Sequence, residues 1–271
     1  MRKIIFNSSM PRSGSELLQV LLHQNPEIYG SATSPLLEYQ FAVRSNYELP
    51  EVKSQEGEVM QNAFLSMCKG MADSYYDAIT DRPVVIDKNR GWSHYHEWVD
   101  QWSPNPKVIC MVRDPRSIIA SMERVYRKNR HTPSGPDNPA ELQNMTLWQR
   151  VDHWLASQPI GLALMRTLDS FQRGVSDKML FVRYEDLTTN PQGELNRVYD
   201  FIDEPRFFSH DFNNLVKEVY EDDSHFGVYG NHSVGKKLKP YKNSDWSDVL
   251  SNDVASYILN KCEWYAETFK Y

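Results

Sequence analysis

A strand, a tight hydroxyl-and-glycine turn and a helix in immediate succession restrict this chain's fold more than anything else in it. Ile4-Ile5-Phe6 is a short apolar run, and Leu17, Leu18, Leu21 and Leu22 recur at helical spacing. Between them lies Ser8-Ser9-Met10-Pro11-Arg12-Ser13-Gly14-Ser15-Glu16. Such a turn aims free backbone N–H groups and the positive helix end at an anion. A turn that binds Mg²⁺-triphosphate ends in Gly-Lys-Ser/Thr, its Lys on the outer phosphates and its hydroxyl on the metal. Here Ser15-Glu16 stands at the Lys-Ser/Thr position. The expectation is an anion site without Mg²⁺-triphosphate chemistry.

Three further apolar runs read as strands of a buried parallel sheet: Val84-Val85-Ile86, Val108–Val112 and Met179–Val182. Helical patterns fall at roughly 15–24, 55–80, 94–102, 115–129, 145–173, 191–202 and 248–269. Strands alternating with helices imply βαβ units with helices on both faces. The Pro/Gly/Asn-rich piece at about 130–144 reads as a mobile loop, because the alternation resumes after it. No boundary interrupts the pattern, so residues 1–271 read as one domain.

Charge and thiols narrow the class. A formal net charge of −6 argues against a nucleic-acid or anionic-membrane binder, which would carry a basic face. Cys68, Cys110 and Cys262 have no framework spacing and read as reduced thiols. The apolar run after Arg2-Lys3 is too short for a signal peptide, and no stretch approaches a membrane span. The expected setting is cytoplasmic.

A second constellation starts at Arg113, directly after a strand. Asp114 suits an N-cap and Pro115 a first helical residue. Ser117, Ser121, Arg124 and Lys128 then share a stripe of the helix. Arg113 sits at the carboxyl end of its strand, where open α/β sheets place ligands. The stripe suits either a second phosphate or an ordinary solvated helix face.

Together these stretches resemble the sulfotransferase family, whose donor is 3′-phosphoadenosine 5′-phosphosulfate (PAPS). Pro11, Arg12, Ser13, Gly14, Ser15 and Leu18 match the family's 5′-phosphosulfate loop, and Arg113 with Ser121 matches the spacing of its 3′-phosphate motif. Arg183-Tyr184-Glu185-Asp186-Leu187, followed by Asn190-Pro191, resembles the segment whose Tyr lies near the adenosine, and Ile86-Asp87-Lys88 the strand end that delivers a catalytic lysine. The match is nearest the tyrosylprotein and bacterial or phage-type branches. It implies a P-loop NTPase-like three-layer α/β/α fold with a central parallel sheet of about four to five strands. It also implies metal-independent transfer of a sulfuryl group from PAPS to an acceptor hydroxyl on a small molecule, carbohydrate or peptide, with release of 3′-phosphoadenosine 5′-phosphate (PAP). On that reading Arg12, Ser13, Gly14, Ser15 and Glu16 surround the sulfonate and 5′-phosphate. Arg113 and Ser121 hold the 3′-phosphate, Tyr184 the adenosine, and Lys88 the leaving oxygen. Lys236 and Lys237, in Gly235-Lys236-Lys237-Leu238-Lys239-Pro240, are either phosphate contacts from a late basic loop or a solvated turn, with Lys239 the weaker candidate. A small-molecule kinase of related fold and a catalytically inactive nucleotide-binding relative are the alternatives.

Two positions depart from the family pattern. Glu16 replaces a hydroxyl, and Ser13-x-x-Glu16 fits a capping box that would turn the carboxylate away from the ligand. Glu16→Thr is then expected to leave PAPS affinity unchanged or improved. The general base has no obvious holder. Glu38 is the next carboxylate after Gly30-Ser31-Ala32-Thr33-Ser34, the stretch where the tyrosylprotein branch carries its Glu, and is taken as the base, set against a surface Glu beginning a helix; His94 and His96, just past Lys88, are alternatives. His94-x-His96-Glu97 lacks metal-ligand partners, and no metal site is expected.

Overall fold

Side-chain alternation along the strands decides how the layers assemble. The computed structural model describes residues 2–132, 134–242 and 245–271, so Pro133 of the 130–144 loop lies outside the described residues. The chain begins β1 (Lys3–Asn7), α1 (Ser15–His23), β2 (Ile28–Thr33), α2 (Leu36–Arg44), α3 (Pro50–Lys53), α4 (Gly57–Asp77) and β3 (Val84–Lys88). It continues through α5 (His96–Trp102), β4 (Val108–Val112), α6 (Pro115–Asn129), α7 (Leu147–Ala156), α8 (Ile160–Gln172) and β5 (Met179–Arg183). It ends with α9 (Tyr184–Thr189), α10 (Pro191–Phe201), α11 (Asn252–Lys261) and α12 (Glu263–Phe269).

The sheet is wholly parallel, in the order β2-β3-β1-β4-β5. Ile5, Val84, Ile86, Ile109, Met111 and Val182 point to one face and pack with α1 and α10. Phe6, Val85, Val108 and Cys110 point to the other and pack with α2, α4 and α5. A third cluster joins α6, α7, α8, α11 and α12 around Trp154 and Tyr265. Each fully buried Leu, Ile or Phe contributes about 1.5–3 kcal/mol relative to exposure. The result is the expected helix–sheet–helix sandwich.

Three differences from the sequence expectations have physical causes. β2 escaped the pattern because Gly30, Ser31 and Thr33 dilute its apolar run, as an edge strand allows. Gly30 is required there, since a Cβ would lie 2.7 Å from the Gln19 carbonyl oxygen. The helix expected over 145–173 is two helices: Ser157 is extended, and Pro159, which lacks an N–H, precedes the second. The helix expected over 248–269 begins at Asn252, capped by Ser251, and breaks at Cys262. The 130–144 loop is anchored by Asn138, which donates to the Asn129 carbonyl at 3.2 Å, and by the Asp137 amide, which donates to the Phe226 carbonyl at 3.0 Å. All three cysteines are buried and free.

Candidate active site

The strand order reverses at β1, whose neighbours β3 and β4 lie on opposite sides, and such reversals open a crevice at the carboxyl ends. A cavity of about 580 Å³ occupies it, with Arg12, Glu16, Lys88, Arg113, Tyr184 and His232 among its lining residues.

After β1 the backbone is left-handed at Arg12 (φ 57°) and again at Gly14 (φ 91°), which caps α1. Gly14 has a second reason to be glycine: a Cβ would lie 2.5 Å from Tyr184 Cδ2. Alternating left- and right-handed residues form an anion-binding nest, and the first-turn amides of α1 have no partner within the helix. Ser13 is fully buried; its hydroxyl donates to the Met10 carbonyl at 2.6 Å and braces the loop from within. Arg12 Nε donates to Ser121 Oγ at 3.0 Å, and its Nη1 to Asn231 Oδ1 at 2.7 Å. Burial, then the neighbouring Arg113 and Arg90, push the Arg12 guanidinium down to about 10, so it stays charged at neutral pH. Among the described residues no carboxylate lies within ion-pair distance of it. Asp223 and Asp137 offset its charge only from beyond contact distance, and burial and the two arginines outweigh them, so the site favours an anion.

Lys88 ends β3, its backbone held by Ser31 Oγ at 2.9 Å and the Ser34 amide at 2.8 Å. Its Nζ meets Glu16 at 2.5 Å and Glu221 at 3.2 Å, and Lys217 bridges the same carboxylates at 2.8 and 3.6 Å. Glu221 also accepts the Thr33 amide at 3.1 Å. Burial alone would raise the Glu221 carboxyl, but Lys88, the Thr33 amide and His232 outweigh it and hold the group at about 2. The capping-box expectation for Glu16 is corrected here. Gly14, not Ser13, caps α1 without a side-chain bond, so the Ser13–Glu16 pairing has no cap to serve, and Glu16 turns to the lysines.

Asp114 caps α6 through the Arg116 amide at 2.8 Å, with Pro115 as first helical residue. This turn delivers Arg113 to the cavity. Arg113 Nη1 donates to the Arg12 carbonyl at 3.1 Å, its Nη2 meets Asp245 at 2.8 Å, and its guanidinium lies 4.2 Å from the Tyr184 ring centroid. Tyr184 therefore forms a flat wall over Gly14.

The Sulfotransferase family signature matches residues 5–209. This chain belongs to the sulfotransferase family. It is 24% identical over 208 residues to protein-tyrosine sulfotransferase A of Caenorhabditis elegans, across 74% of this chain and 50% of that protein. It is 28% identical over 167 residues to carbohydrate sulfotransferase 1 of Rattus norvegicus, across 59% and 37%. The chain thus spans half or less of these two curated relatives. Its fold is shared with mouse sulfotransferase SULT7A1 solved in complex with PAP, at a TM-score of 0.54 and 15% identity over 98% of this chain and 84% of that one.

Within this sulfotransferase cavity lie Arg12, Gly14, Ser15, Glu16, Lys88, Arg113, Tyr184, Lys236 and Lys237, and Lys239 joins them. Ser121 stands behind Arg12, as its hydrogen-bond partner. Glu38 is exposed in the first turn of α2 and accepts from Asn89 Nδ2 at 3.0 Å, outside the cavity lining. His94 faces Asp169 at 2.9 Å in a separate surface site, and His96 is buried in the α5 packing. The sequence reading missed Lys217, Glu221, Asp223, His232 and Asp245. Residues 203–247 carry no helical or strand period, and the one available signal was a cluster of titratable residues, Glu221-Asp222-Asp223 with His225 and His232, in an aperiodic stretch. Among the described residues no helix is long and apolar enough to cross a membrane, and no group of three or more His, Cys, Asp or Glu side chains is poised to hold a metal.

Proposed function

We propose that this sulfotransferase-family chain moves a sulfuryl group from PAPS to an acceptor hydroxyl, releasing PAP. The observation that carries this reading is the partly buried Arg12 charge, which has no carboxylate at ion-pair distance among the described residues, beside Lys88 and Arg113 at the ends of β3 and β4. Arg12 and the α1 amides would receive the 5′-phosphosulfate. Arg113, with Ser121 behind Arg12, would take the 3′-phosphate, Tyr184 would stack near the adenosine, and Lys236 and Lys237 would close from the late loop. Lys88 would neutralise the bridging oxygen as it leaves. Such transfer depends on positioning and on donors aimed at developing charge, with cationic side chains in the place a metal would otherwise take. The named relatives act on tyrosyl or carbohydrate groups, which supports a peptide, carbohydrate or small-molecule hydroxyl as acceptor. Three free, buried thiols support a reducing, cytoplasmic setting.

Calorimetric titration with PAP, beside AMP and Mg-ATP, tests the reading. PAP is expected to bind far more tightly than AMP. Arg113→Ala should weaken it at least about tenfold, since one charge-assisted hydrogen bond contributes roughly 1.5–3 kcal/mol. Equal or tighter binding of Mg-ATP would overturn the proposal in favour of a kinase.

A further inference from the structure

The transfer chemistry needs a group to take the acceptor's proton; the cavity wall carries Glu16 and His232, and Glu221 stands beside it in contact with Lys88 and His232. Glu16 is clamped by Lys88 and Lys217. Glu221 is bound by Lys88, Lys217 and the Thr33 amide, and a carboxylate held so strongly in its charged form is a poor proton acceptor. His232 differs in geometry. Its Nδ1 lies 2.6 Å from Asp223 Oδ1, and its backbone N–H donates to both oxygens of the same carboxylate at 3.2 and 3.3 Å. Asp223 itself begins a short 3₁₀ turn, Asp223–Phe226, and the Phe226 ring packs against the imidazole at a centroid distance of 5.3 Å.

We propose that His232, oriented by Asp223, is the general base that deprotonates the acceptor hydroxyl. The assignment rests on the sulfotransferase reading above and replaces Glu38 in that role. A carboxylate accepts and cannot donate, so the Asp223 contact puts the imidazole hydrogen on Nδ1 and leaves the Nε2 lone pair free. Nε2 faces the catalytic end of the cavity: it lies 3.7 Å from Glu221 Oε1, while Glu221 Oε2 lies 3.2 Å from Lys88 Nζ. One carboxylate therefore spans the proton-accepting nitrogen and the cation aimed at the leaving oxygen. In the transfer, the acceptor O–H proton passes to Nε2 as the acceptor oxygen bonds to sulfur. The bond from sulfur to the bridging oxygen breaks, and its electron pair stays on the 5′-phosphate of PAP beside Lys88. The imidazolium so formed lies between Asp223 and Glu221, whose charges stabilise it. Burial and Lys88 hold the ring below its ordinary range, against the opposing pull of Glu221 and Asp223, so it is neutral and ready to accept at neutral pH.

The test uses ³⁵S-labelled PAPS with water as acceptor, followed with enzyme in excess, and PAP calorimetry on the same proteins. His232→Gln is expected to slow sulfate release about 10²–10⁴-fold, and Asp223→Asn at least about tenfold, with PAP affinity within about threefold of the parent. The parent rate should rise with pH to a plateau before neutrality, and the acid limb should vanish in His232→Gln. The groups facing the ring are Asp223, Glu221 and Lys88; Lys217 donates to the His232 carbonyl at 3.1 Å, and Glu16 lies next beyond them. The ¹⁵N shifts of His232 in the PAP-bound parent give a readout free of turnover: Nδ1 protonated and Nε2 bare. A His232→Gln rate within about threefold of the parent, a persisting acid limb, or the opposite tautomer would overturn the assignment. So would a rate loss matched by an equal loss of PAP affinity, which would make His232 a donor-binding residue. Failure of the parent to bind PAP would instead refute the sulfotransferase reading itself.

Discussion

Replacing Glu221 by Gln removes one charge while keeping the side chain's length and an acceptor oxygen for the Thr33 amide. The carboxyl is held at about 2 against an ordinary 4.5: burial opposes ionisation, but Lys88 at 3.2 Å, the Thr33 amide at 3.1 Å and His232 prevail. That difference corresponds to roughly 3 kcal/mol, and solvent screening of a partly exposed group reduces the expectation to about 2 kcal/mol. Because the folded-state value lies below the unfolded one, this stabilisation is complete above about pH 5. It fades as the pH falls from about 4.5 to about 2. Denaturant unfolding of parent and Glu221→Gln, from about pH 7 down to about pH 3, reads it directly. The variant should be weaker by about 2 kcal/mol at neutral pH, and the two stabilities should converge in acid, with about half of the gap gone near pH 3. A gap that stays constant with pH, or no gap at neutrality, would refute the claim that the Lys88 network depresses this group.

Two further substitutions probe the phosphate loop. Gly14→Ala places a side chain on a backbone at φ 91° and a Cβ 2.5 Å from Tyr184, whose ring is itself pinned under Arg113. It should cost about 1–3 kcal/mol of stability and abolish PAP binding, checked by thermal unfolding and calorimetry; parent-like behaviour in both would contradict the loop geometry. Glu16→Thr removes the 2.5 Å contact to Lys88 and the 2.8 Å contact to Lys217, leaving Glu221 as their shared partner. Stability should fall by about 1–3 kcal/mol while PAP affinity stays equal or rises, because two cations are released toward the ligand; a clear loss of affinity would show that the carboxylate supports donor binding.

Much of the architecture was readable residue by residue. Ile4–Phe6, Val84–Ile86, Val108–Val112 and Met179–Val182 announced four of the five strands, since a strand buried on both faces must be a continuous apolar run. Asp114-Pro115 marked the start of α6 through cap chemistry that acts within two residues. The active-site loop was legible for the same reason: an anion-binding turn needs Gly14 and its neighbours contiguous in the chain. β2 was not legible, because its stability comes from pairing with β3 and from the close approach of Gly30 to α1 rather than from its own side chains.

Continuous apolar runs and a 3.6-residue helical period thus determined the layers, the parallel sheet, and the placing of Lys88 and Arg113 at strand ends and of Arg12 in the loop after β1. Only the tertiary structure decided the company those cations keep. Lys88 meets Glu221 across 133 positions of sequence, and Arg113 meets Asp245 across 132. Those partners come from the sequence stretch 203–247, which has no helical or strand period to announce them. The Asp223–His232 pair arises in the same stretch. An ion pair requires only that two charges arrive within about 4 Å of each other, and nothing in the local sequence of either residue records the arrival.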